Sequence, residues 1–274
     1  MAGRFAGQVA WITGGGSGIG RAMALELGRE GARVAVSGRR EDRLAEVVAE
    51  LEGLGATGLA VRCDVTDEPD VERAVATVVG ELGSLDVAIA NAGFAVANPI
   101  EKLTADDWRR QLDTNVVGLA VTVRHALPHL RKSGGRIALV GSISSLVTVP
   151  NLGAYSASKY AVRAIGQTLS VELAGSGVSC TTLHPGFVQS EINRVDNQGR
   201  FDPDRAQRPN RLKWPAERAA RICVRAIHRR KRELVFTGHG RFAALLGRHT
   251  PGITHLVLSR GVKKKRRRQL RAGD

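Results

Sequence analysis

The sequence of 274 residues predicts an α/β protein in which one parallel β-sheet is covered by helices on both faces. Two observations carry this prediction. Short β-branched apolar runs alternate with longer stretches of helical periodicity, as they do in right-handed βαβ units. The first apolar run also leads through a glycine-rich turn directly into a helical pattern. Because the alternation continues along most of the chain, we expect a single domain.

The apolar runs predict seven strands, with the helices between them. The predicted strands are Val9–Thr13, Arg33–Ser37, Gly58–Cys63, Leu85–Ala90, Arg136–Val140, Val178–Leu183 and Glu233–Phe236. The predicted helices are residues 18–29, 41–53, 67–80, 104–131, 153–174 and 215–230. One long irregular stretch, residues 193–214, remains. Because loops of this length are usually functional, we expect residues 187–214 to form a lid over a substrate site.

The positive charge of the chain is concentrated in its C-terminal quarter. Residues 1–204 contain 20 Lys/Arg and 23 Asp/Glu, whereas residues 205–274 contain 21 Lys/Arg and 3 Asp/Glu. The net charge of +15 therefore describes an appendage and not the main fold. We interpret residues 241–274 as a basic amphipathic extension, in which Pro251 and Gly252 separate two short helical pieces before the basic run Lys263–Arg268.

Three interpretations of this extension stay open. It can lie on an anionic membrane, because basic amphipathic helices bind such surfaces. It can instead be a nucleic-acid-binding or targeting tail, which is the least favoured of the three. It can also be a solvated tail with no partner.

The cysteines and the N-terminal residues favour a cytoplasmic protein. Cys63, Cys180 and Cys223 have neither paired nor metal-ligand spacing, so we expect free buried thiols and no metal site. The chain has no run of eighteen apolar residues and begins without the features of a secretory signal. Because of the basic extension, a second expected location is the inner surface of the membrane, to which the protein would bind peripherally.

The glycine-rich turn after the first strand is typical of a dinucleotide site. Residues 13–20 place Gly14, Gly18 and Gly20 between a strand and a helix N-terminus, where backbone N–H groups can bind a pyrophosphate. The spacing differs from the commoner Gly-x-Gly-x-x-Gly, and a turn with no ligand is the alternative. The residues expected to bind the cofactor here are Gly14, Gly16, Ser17, Gly18, Ile19 and Gly20.

The next strand ends indicate which dinucleotide is bound. An enzyme specific for NAD normally has an acid at the tip of the second strand, but here Arg39 and Arg40 follow it. Because a guanidinium can pair with a 2′-phosphate, NADP(H) is expected, with NAD(H) as the alternative. The two arginines can also be solvated loop residues. Further cofactor contacts are expected from residues at the next two strand ends: Asp64, Val65, Asn91, Ala92 and Gly93.

Tyr155 and Lys159 are the candidate acid/base pair. Residues four apart share one face of a helix, so the phenol and the ammonium can point at the same substrate. A cation at that distance is expected to lower the pKa of Tyr155, which suits proton transfer to and from a hydroxyl. Ser142, thirteen positions upstream, completes the group. A surface helical pair is the alternative interpretation.

Taken in order, these residues and Pro185-Gly186 resemble the short-chain dehydrogenase/reductase family. The resemblance implies a Rossmann-like, doubly wound, seven-stranded parallel sheet in residues 1–240, with the order 3-2-1-4-5-6-7. It also implies a homodimer or homotetramer formed through the helices at 104–131 and 153–174. Two positions depart from the family pattern: Ala90 replaces an asparagine, and Gly141 replaces a serine before Ser142.

The resemblance also implies the chemistry. Hydride passes between nicotinamide C4 and a carbonyl or secondary alcohol, Tyr155 supplies the proton, and Ser142 donates a second hydrogen bond to the oxygen. Lys159 holds the nicotinamide ribose, and Asn115 positions a water that links Lys159 to solvent. The residues expected along the nicotinamide and the phosphates are Pro185, Gly186, Val188 and Ser190.

Several alternatives to this assignment remain. Ser144 and Ser145 compete for the role of Ser142, and His184 is interpreted as structural. A dinucleotide-binding scaffold without activity, or a lyase or epimerase on the same fold, are the alternative functions.

The substrate pocket is predicted to be apolar, with walls from residues 94–98, 143–152 and the lid. Its expected apolar residues are Phe94, Val96, Ile143, Leu146, Val147, Val149, Leu152 and Phe187. This favours a hydrophobic alcohol or ketone over a sugar.

Overall fold

The computed structural model describes residues 3–194, 196, 200, 202, 213–250 and 252–261. Seven parallel strands form one sheet with the order β3-β2-β1-β4-β5-β6-β7, as predicted. The strands are β1 (Val9–Thr13), β2 (Arg33–Gly38), β3 (Gly58–Arg62), β4 (Val87–Ala90), β5 (Arg136–Val140), β6 (Ser179–His184) and β7 (Glu233–Val235). β1 and β4 are neighbours in the centre of the sheet, where the order of the strands reverses direction.

Eight helices of the described residues flank the sheet. They are α1 (Gly18–Arg29), α2 (Glu41–Gly53), α3 (Glu68–Leu82), α4 (Ala105–Leu112), α5 (Gly118–Ser133), α6 (Gly153–Glu172), α7 (Ala216–His228) and α8 (Gly238–His249). Short 3-10 turns occupy Ile100–Lys102, Ile143–Ser145 and Glu191–Arg194. The helix predicted at 104–131 is continuous over residues 105–133, and a π-helical segment within it, Asp113–Val117, lies between α4 and α5.

The sheet is buried on both faces, which explains why its strands are continuous apolar runs. Ala10 and Ile12 of β1 face a core made with α1, α2 and α7. Val9 and Trp11 of the same strand face a second core made with α3, α5 and α6. Every residue of β1 and β4 is buried, so these two strands form the most enclosed part of the molecule.

The two ends of the predicted lid meet at the edge of the site. Val188 and Trp214 form an isolated parallel bridge, in which Trp214 N donates to Phe187 O at 2.9 Å. The N–H of Gln189 donates in turn to Trp214 O at 2.9 Å. Residues 195, 197–199, 201 and 203–212 of the lid lie outside the described residues, so the lid stays a prediction.

The C-terminal extension contains the two short helical pieces expected from its sequence. The first is α8, and the second covers residues 252–261. The basic run Lys263–Arg268 lies outside the described residues. Within the described part of the chain, no helix has the length and apolarity needed to cross a bilayer.

Candidate active site

A cavity of about 820 Å³ opens at the carboxyl ends of the strands, around the point where the strand order reverses. In open α/β sheets this crevice is the usual ligand site. All the residues predicted to bind the cofactor line it: Gly14, Gly16, Ser17, Gly18, Ile19, Gly20, Arg39, Arg40, Asp64, Val65, Asn91, Ala92, Gly93, Tyr155, Lys159, Pro185, Gly186, Val188 and Ser190. Ser142 lines it as well. The fold therefore brings together segments that lie far apart in the sequence.

The glycine turn presents the N-terminus of α1 to this cavity. Ser17 occupies the N-cap position with extended backbone angles, and among the described residues its side chain makes no capping bond to the first turn. The N–H groups of that turn are therefore available to an anion, and the helix dipole favours negative charge there. Gly14 has φ +64°, and a side chain on it would reach within 2.8 Å of Ala92 Cα, so the turn requires glycine.

The end of β4 is tied to the glycine turn by four hydrogen bonds. Asn91 Nδ2 donates to the carbonyl oxygens of Thr13 and Gly14, each at 3.0 Å. Thr13 Oγ1 accepts from the N–H groups of Asn91 at 3.1 Å and Ala92 at 3.2 Å. Asn91 thus fixes the shape of the turn, a role that its position in the sequence did not reveal.

The two arginines after β2 have different surroundings. Arg40 Nη2 donates to Glu191 Oε2 at 3.1 Å and to Ser17 Oγ at 3.3 Å, so it bridges the cavity mouth. Arg39 Nη1 lies 4.0 Å from Asp64 Oδ2, and its side chain is 60% exposed. Asp64 Oδ1 accepts from the Thr66 N–H at 3.0 Å and from its hydroxyl at 2.8 Å. Asp64 therefore stabilises its own turn.

Asn115 lies in the π-helical segment, behind the cavity wall. It is buried, and its Oδ1 accepts from Phe94 N at 3.1 Å. Its Nδ2 donates to Phe94 O and to Ser158 Oγ, both at 3.0 Å. The amide thereby joins the loop after β4 to α6, the helix that carries Tyr155 and Lys159. Short π-helical segments are frequent at functional sites.

Burial sets the ionisation of Tyr155 and Lys159. Loss of hydration raises the pKa of Tyr155, and a hydrogen bond with the Ser142 hydroxyl opposes that shift. Loss of hydration also lowers the pKa of Lys159 to about 8. Lys159 Nζ lies 5.8 Å from the centre of the Tyr155 ring and donates to the Val140 carbonyl oxygen at 2.8 Å. The expected lowering of the Tyr155 pKa by Lys159 is therefore wrong, because the pKa is raised and burial is the main cause.

The structure separates Ser142 from one of its two competitors, Ser145, by position. Ser142 follows β5 and caps the next turn, since its Oγ accepts from Ser144 N at 3.1 Å. Ser144 also lines the cavity. Ser145 is fully buried and turns away from the cavity, where its Oγ lies 2.8 Å from His184 Nδ1. His184 is fully buried beside it, as expected for a structural residue.

Two residues of the predicted lid, Glu191 and Lys213, line the cavity although neither was predicted individually, and Arg43 of α2 lines it without having been predicted at all. Glu191 follows Ser190 directly, but its partner Arg40 lies 151 positions away in the sequence. Lys213 enters the cavity lining from the far end of the predicted lid. No local sequence pattern reveals a contact between residues as far apart as Arg40 and Glu191. The position of Glu191, directly after Ser190 and beside the predicted phosphate site, was the one available signal for it.

Comparison with known proteins agrees with this geometry. A family model described as short chain dehydrogenase matches residues 8–200. A 3beta-hydroxysteroid dehydrogenase of Mediterraneibacter gnavus is 34% identical over 216 residues, which cover 77% of this chain and 78% of the relative.

The chain belongs to the short-chain dehydrogenase family.

Two solved structures share the fold of this dehydrogenase. A short chain dehydrogenase/reductase from Burkholderia phymatum in complex with NAD has a TM-score of 0.77 and 29% identity, covering 84% of this chain and 89% of that one. An alcohol dehydrogenase from Thermococcus sibiricus, complexed with 5-hydroxy-NADP, has a TM-score of 0.73 and 27% identity, covering 83% and 94%. The protein is therefore an oxidoreductase dependent on a nicotinamide cofactor, and the scaffold, lyase and epimerase alternatives are not favoured.

The departures from the family pattern leave the cavity lining intact. Ala90 is buried at the end of β4, and the asparagine that follows it supplies the bonds to the glycine turn. Gly141 lies against the ring of His184, where a side chain would reach within 2.9 Å of Nδ1. Neither position removes a functional group from the cavity.

Proposed function

We propose that this dehydrogenase interconverts an apolar ketone and its secondary alcohol with NADP(H), using Tyr155 as the acid/base. One observation carries the proposal: Ser142, Tyr155 and Lys159 line the same cavity as the glycine turn at the N-terminus of α1. A cofactor held there would have its phosphates against backbone N–H groups and the catalytic hydroxyls at the other end. The nicotinamide, when bound, supplies or accepts the hydride.

In the reduction direction, Tyr155 donates its proton to the substrate oxygen as negative charge develops there. The raised pKa of Tyr155 keeps the hydroxyl protonated before the reaction, which suits a proton donor. Ser142 donates a second hydrogen bond to the same oxygen and stabilises its charge in the transition state. The hydrogen bond between the two hydroxyls holds them toward a common point.

Lys159 and Asn115 are proposed to return a proton to Tyr155 after it has protonated the substrate. Lys159 is buried beside Tyr155 with a pKa of about 8, so it can hold or release a proton near neutral pH. Both hydrogens of the Asn115 amide are already used by Phe94 and Ser158, and one of the two lone pairs of Oδ1 accepts from Phe94. The second lone pair can accept a hydrogen from a water that connects Lys159 to solvent.

The preference for NADP(H) over NAD(H) rests on the tip of β2. Arg39 and Arg40 line the cavity there, and no carboxylate occupies the strand end to bind a ribose 2′-hydroxyl. Arg40 already holds one carboxylate, that of Glu191, at 3.1 Å. A guanidinium so placed can pair with a 2′-phosphate in the same way.

The apolar character of the substrate rests on the cavity wall. Phe94, Ile143, Leu152 and Phe187 line it as expected. Val96 and Leu146, expected beside them, are instead buried in the protein interior. A relative named as a 3beta-hydroxysteroid dehydrogenase supports a bulky apolar alcohol or ketone as the substrate class.

Association of copies is proposed through the helices expected to join them. Val117 is exposed beside α5, and Tyr160 and Val171 are exposed on α6, so these helices carry apolar side chains that a second copy can cover. Homodimers or homotetramers that cover these residues are the expected state.

The C-terminal extension is proposed to contact an anionic membrane at its cytoplasmic surface. Phe242 and Leu245 of α8 and Ile253, Leu256 and Val257 of the following helix are exposed. Arg241 and Arg260 are exposed on the same two helices, so apolar and cationic side chains are interspersed. Such a surface suits the interface of an anionic bilayer. A solvated tail remains the alternative, and nucleic acid is not favoured as the partner.

The function is tested by following NADPH oxidation with cyclohexanone, tetralone and a steroid ketone, with xylose as a polar comparison. Turnover is expected to be fastest with the bulky ketones and slowest with xylose. Absence of NADPH oxidation with every carbonyl would contradict the proposed redox chemistry. Fastest turnover with xylose would contradict the apolar substrate alone.

A further inference from the structure

His184 makes a set of buried contacts that the proposed chemistry does not use. It ends β6, directly before Pro185, and its side chain has no exposure. Its Nδ1 lies 2.8 Å from Ser145 Oγ and 3.3 Å from the carbonyl oxygen of Ser142. Ser145 Oγ donates to that same carbonyl oxygen at 2.5 Å. The main chain of Ser142 is therefore held from behind by two side chains, while its hydroxyl faces the cavity.

The other ring nitrogen of His184 faces a carboxylate. Nε2 lies 3.0 Å from Glu233 Oε1 at the start of β7. Arg248 of α8 contacts the same Oε1 at 2.6 Å, and Arg163 of α6 lies 3.6 Å away. These contacts lower the pKa of Glu233 to about 2, with His184 as the first cause. Glu233 is thus the anionic centre of the cluster.

Gly141 explains why this arrangement fits here. It is the position at which the chain departs from the family pattern, in which a serine precedes the catalytic serine. A side chain at 141 would reach within 2.9 Å of His184 Nδ1 and 3.1 Å of the Leu183 carbonyl oxygen. The imidazole therefore occupies the space behind Ser142 that a side chain at 141 would enter.

The C-terminal helix α8 completes the arrangement from outside. Arg248 reaches Glu233 from its last turn, and Ala244 is buried. At Gly247, an added side chain would reach within 2.3 Å of the carbonyl oxygen of Leu146, so α8 lies directly against the turn that follows Ser142. The extension is thus in contact with both the anionic centre and the catalytic loop.

We propose that His184, anchored by Glu233 and Arg248, is a positioning residue that sets the orientation of Ser142 toward the substrate oxygen. The inference rests on the proposed role of Ser142 as a hydrogen-bond donor in the reaction. His184 acts through the main-chain carbonyl of Ser142 and through Ser145, and it does not touch the substrate. Loss of the anchor would let the loop shift by a fraction of an ångström to an ångström, enough to weaken a transition-state hydrogen bond.

The test is a double-mutant cycle with Ser142→Ala and His184→Gln, assayed with NADPH and the ketone of the panel that is reduced fastest. His184→Gln is expected to lower kcat by roughly 10- to 100-fold, while the Kd for NADPH stays the same. In the Ser142→Ala background the same substitution should cost less than about 3-fold, because the group that it positions is gone. His125→Gln is the matched control, since Nε2 of His125 also lies 3.0 Å from a carboxylate, that of Glu68, away from the cavity.

Each outcome of the cycle has one meaning. Equal fold losses in both backgrounds, or unchanged kcat in His184→Gln, would overturn the positioning role. Unchanged kcat in Ser142→Ala would instead overturn the proposed role of Ser142, whereas absence of ketone reduction by the unmodified protein would overturn the proposed function.

If His184→Gln does not fold, Arg248→Met takes its place in the cycle. This side chain is 34% exposed, so its removal leaves the core intact. Arg248→Lys should restore part of the kcat lost in Arg248→Met, and failure to restore any would count against the anchor.

Discussion

At the scale of single residues, the surroundings of Tyr155 and Lys159 decide how they ionise. Their spacing of four identifies a shared helix face, and this part of the site could be predicted from the sequence. The ionisation of the two side chains could not be predicted from the sequence, because it depends on their burial and on the Val140 carbonyl oxygen that accepts a hydrogen bond from Lys159 Nζ. Desolvation raises the pKa of the phenol and lowers that of the ammonium, the opposite of the expected effect on Tyr155.

The first prediction concerns pH. Burial lowers the pKa of Lys159 from its usual 10.5 to about 8, so the charged form is present below that pH and is lost above it. In the reduction direction, kcat/KM should therefore fall as pH rises through about 8, since the proton for refilling Tyr155 is lost. The measurement is kcat/KM for the ketone across this range. A profile with no ionisation near 8 would contradict the role of Lys159.

The second prediction concerns the 2′-phosphate. Arg39→Ala should raise the Kd for NADPH by about 10-fold or more, through loss of a charge-assisted hydrogen bond, and leave the Kd for NADH nearly unchanged. Arg109→Ala is a comparison variant, because this arginine pairs with Asp106 at 2.8 Å on the exposed face of α4 and does not line the cavity. Equal Kd values of the unmodified protein for NADPH and NADH would defeat the proposed preference.

At the scale of elements, most boundaries follow from the sequence, and the exceptions have tertiary causes. The bounds of β1, α1, α2 and β5 agree with the prediction because each apolar run ends at a glycine or a charged residue. The helix predicted at 104–131 is confirmed as a continuous helical stretch, but the π-helical segment within it was not predicted. The spacing of apolar residues does not predict the π-helical segment Asp113–Val117. Asn115 in this segment is held by hydrogen bonds to Phe94 and Ser158, which lie in other parts of the chain.

The contact between α8 and Glu233 gives the third prediction, on stability in acid. The folded-state pKa of Glu233, about 2, is below its usual 4.5, so its contribution to stability is present above 4.5 and is lost as pH falls toward 2. Glu233→Gln should therefore lose less free energy of unfolding than the unmodified protein over this range, as measured by urea denaturation. Glu46→Gln, in an exposed pair with Arg43, should behave like the unmodified protein. Identical pH dependence in both variants would contradict the account.

At the scale of the whole molecule, the site is a product of topology. The strand order brings the glycine turn, the end of β4 and the Tyr155 helix to one crevice, and the predicted cofactor residues all meet there. The family pattern made this predictable, since its motifs mark strand ends. Contacts that cross the crevice were not predictable. Two such contacts are Glu191 with Arg40 and Glu233 with His184. Each joins segments that lie far apart in the sequence and meet only in the folded protein.

The fourth prediction concerns the segregated charge. Removing residues 261–274 takes away the basic run Lys263–Arg268 and should weaken binding to vesicles containing phosphatidylserine, each cation contributing on the order of 1 kcal/mol. The difference should shrink as salt is added, because screening weakens the attraction. Sedimentation with anionic and with neutral vesicles measures the effect. Equal binding of the full and shortened chains would favour a solvated tail.

The central claim is that Tyr155 is the acid/base of a carbonyl reduction in this cavity. The chain has two tyrosines, and Tyr160 lies on the same helix with 41% exposure, so it provides a matched control. The most direct measurement compares kcat for NADPH-dependent ketone reduction, together with the Kd for NADPH, in Tyr155→Phe and Tyr160→Phe. The account predicts that Tyr155→Phe lowers kcat by about 10²- to 10⁴-fold with little change in Kd, while Tyr160→Phe keeps its activity. Retained turnover in Tyr155→Phe would contradict it.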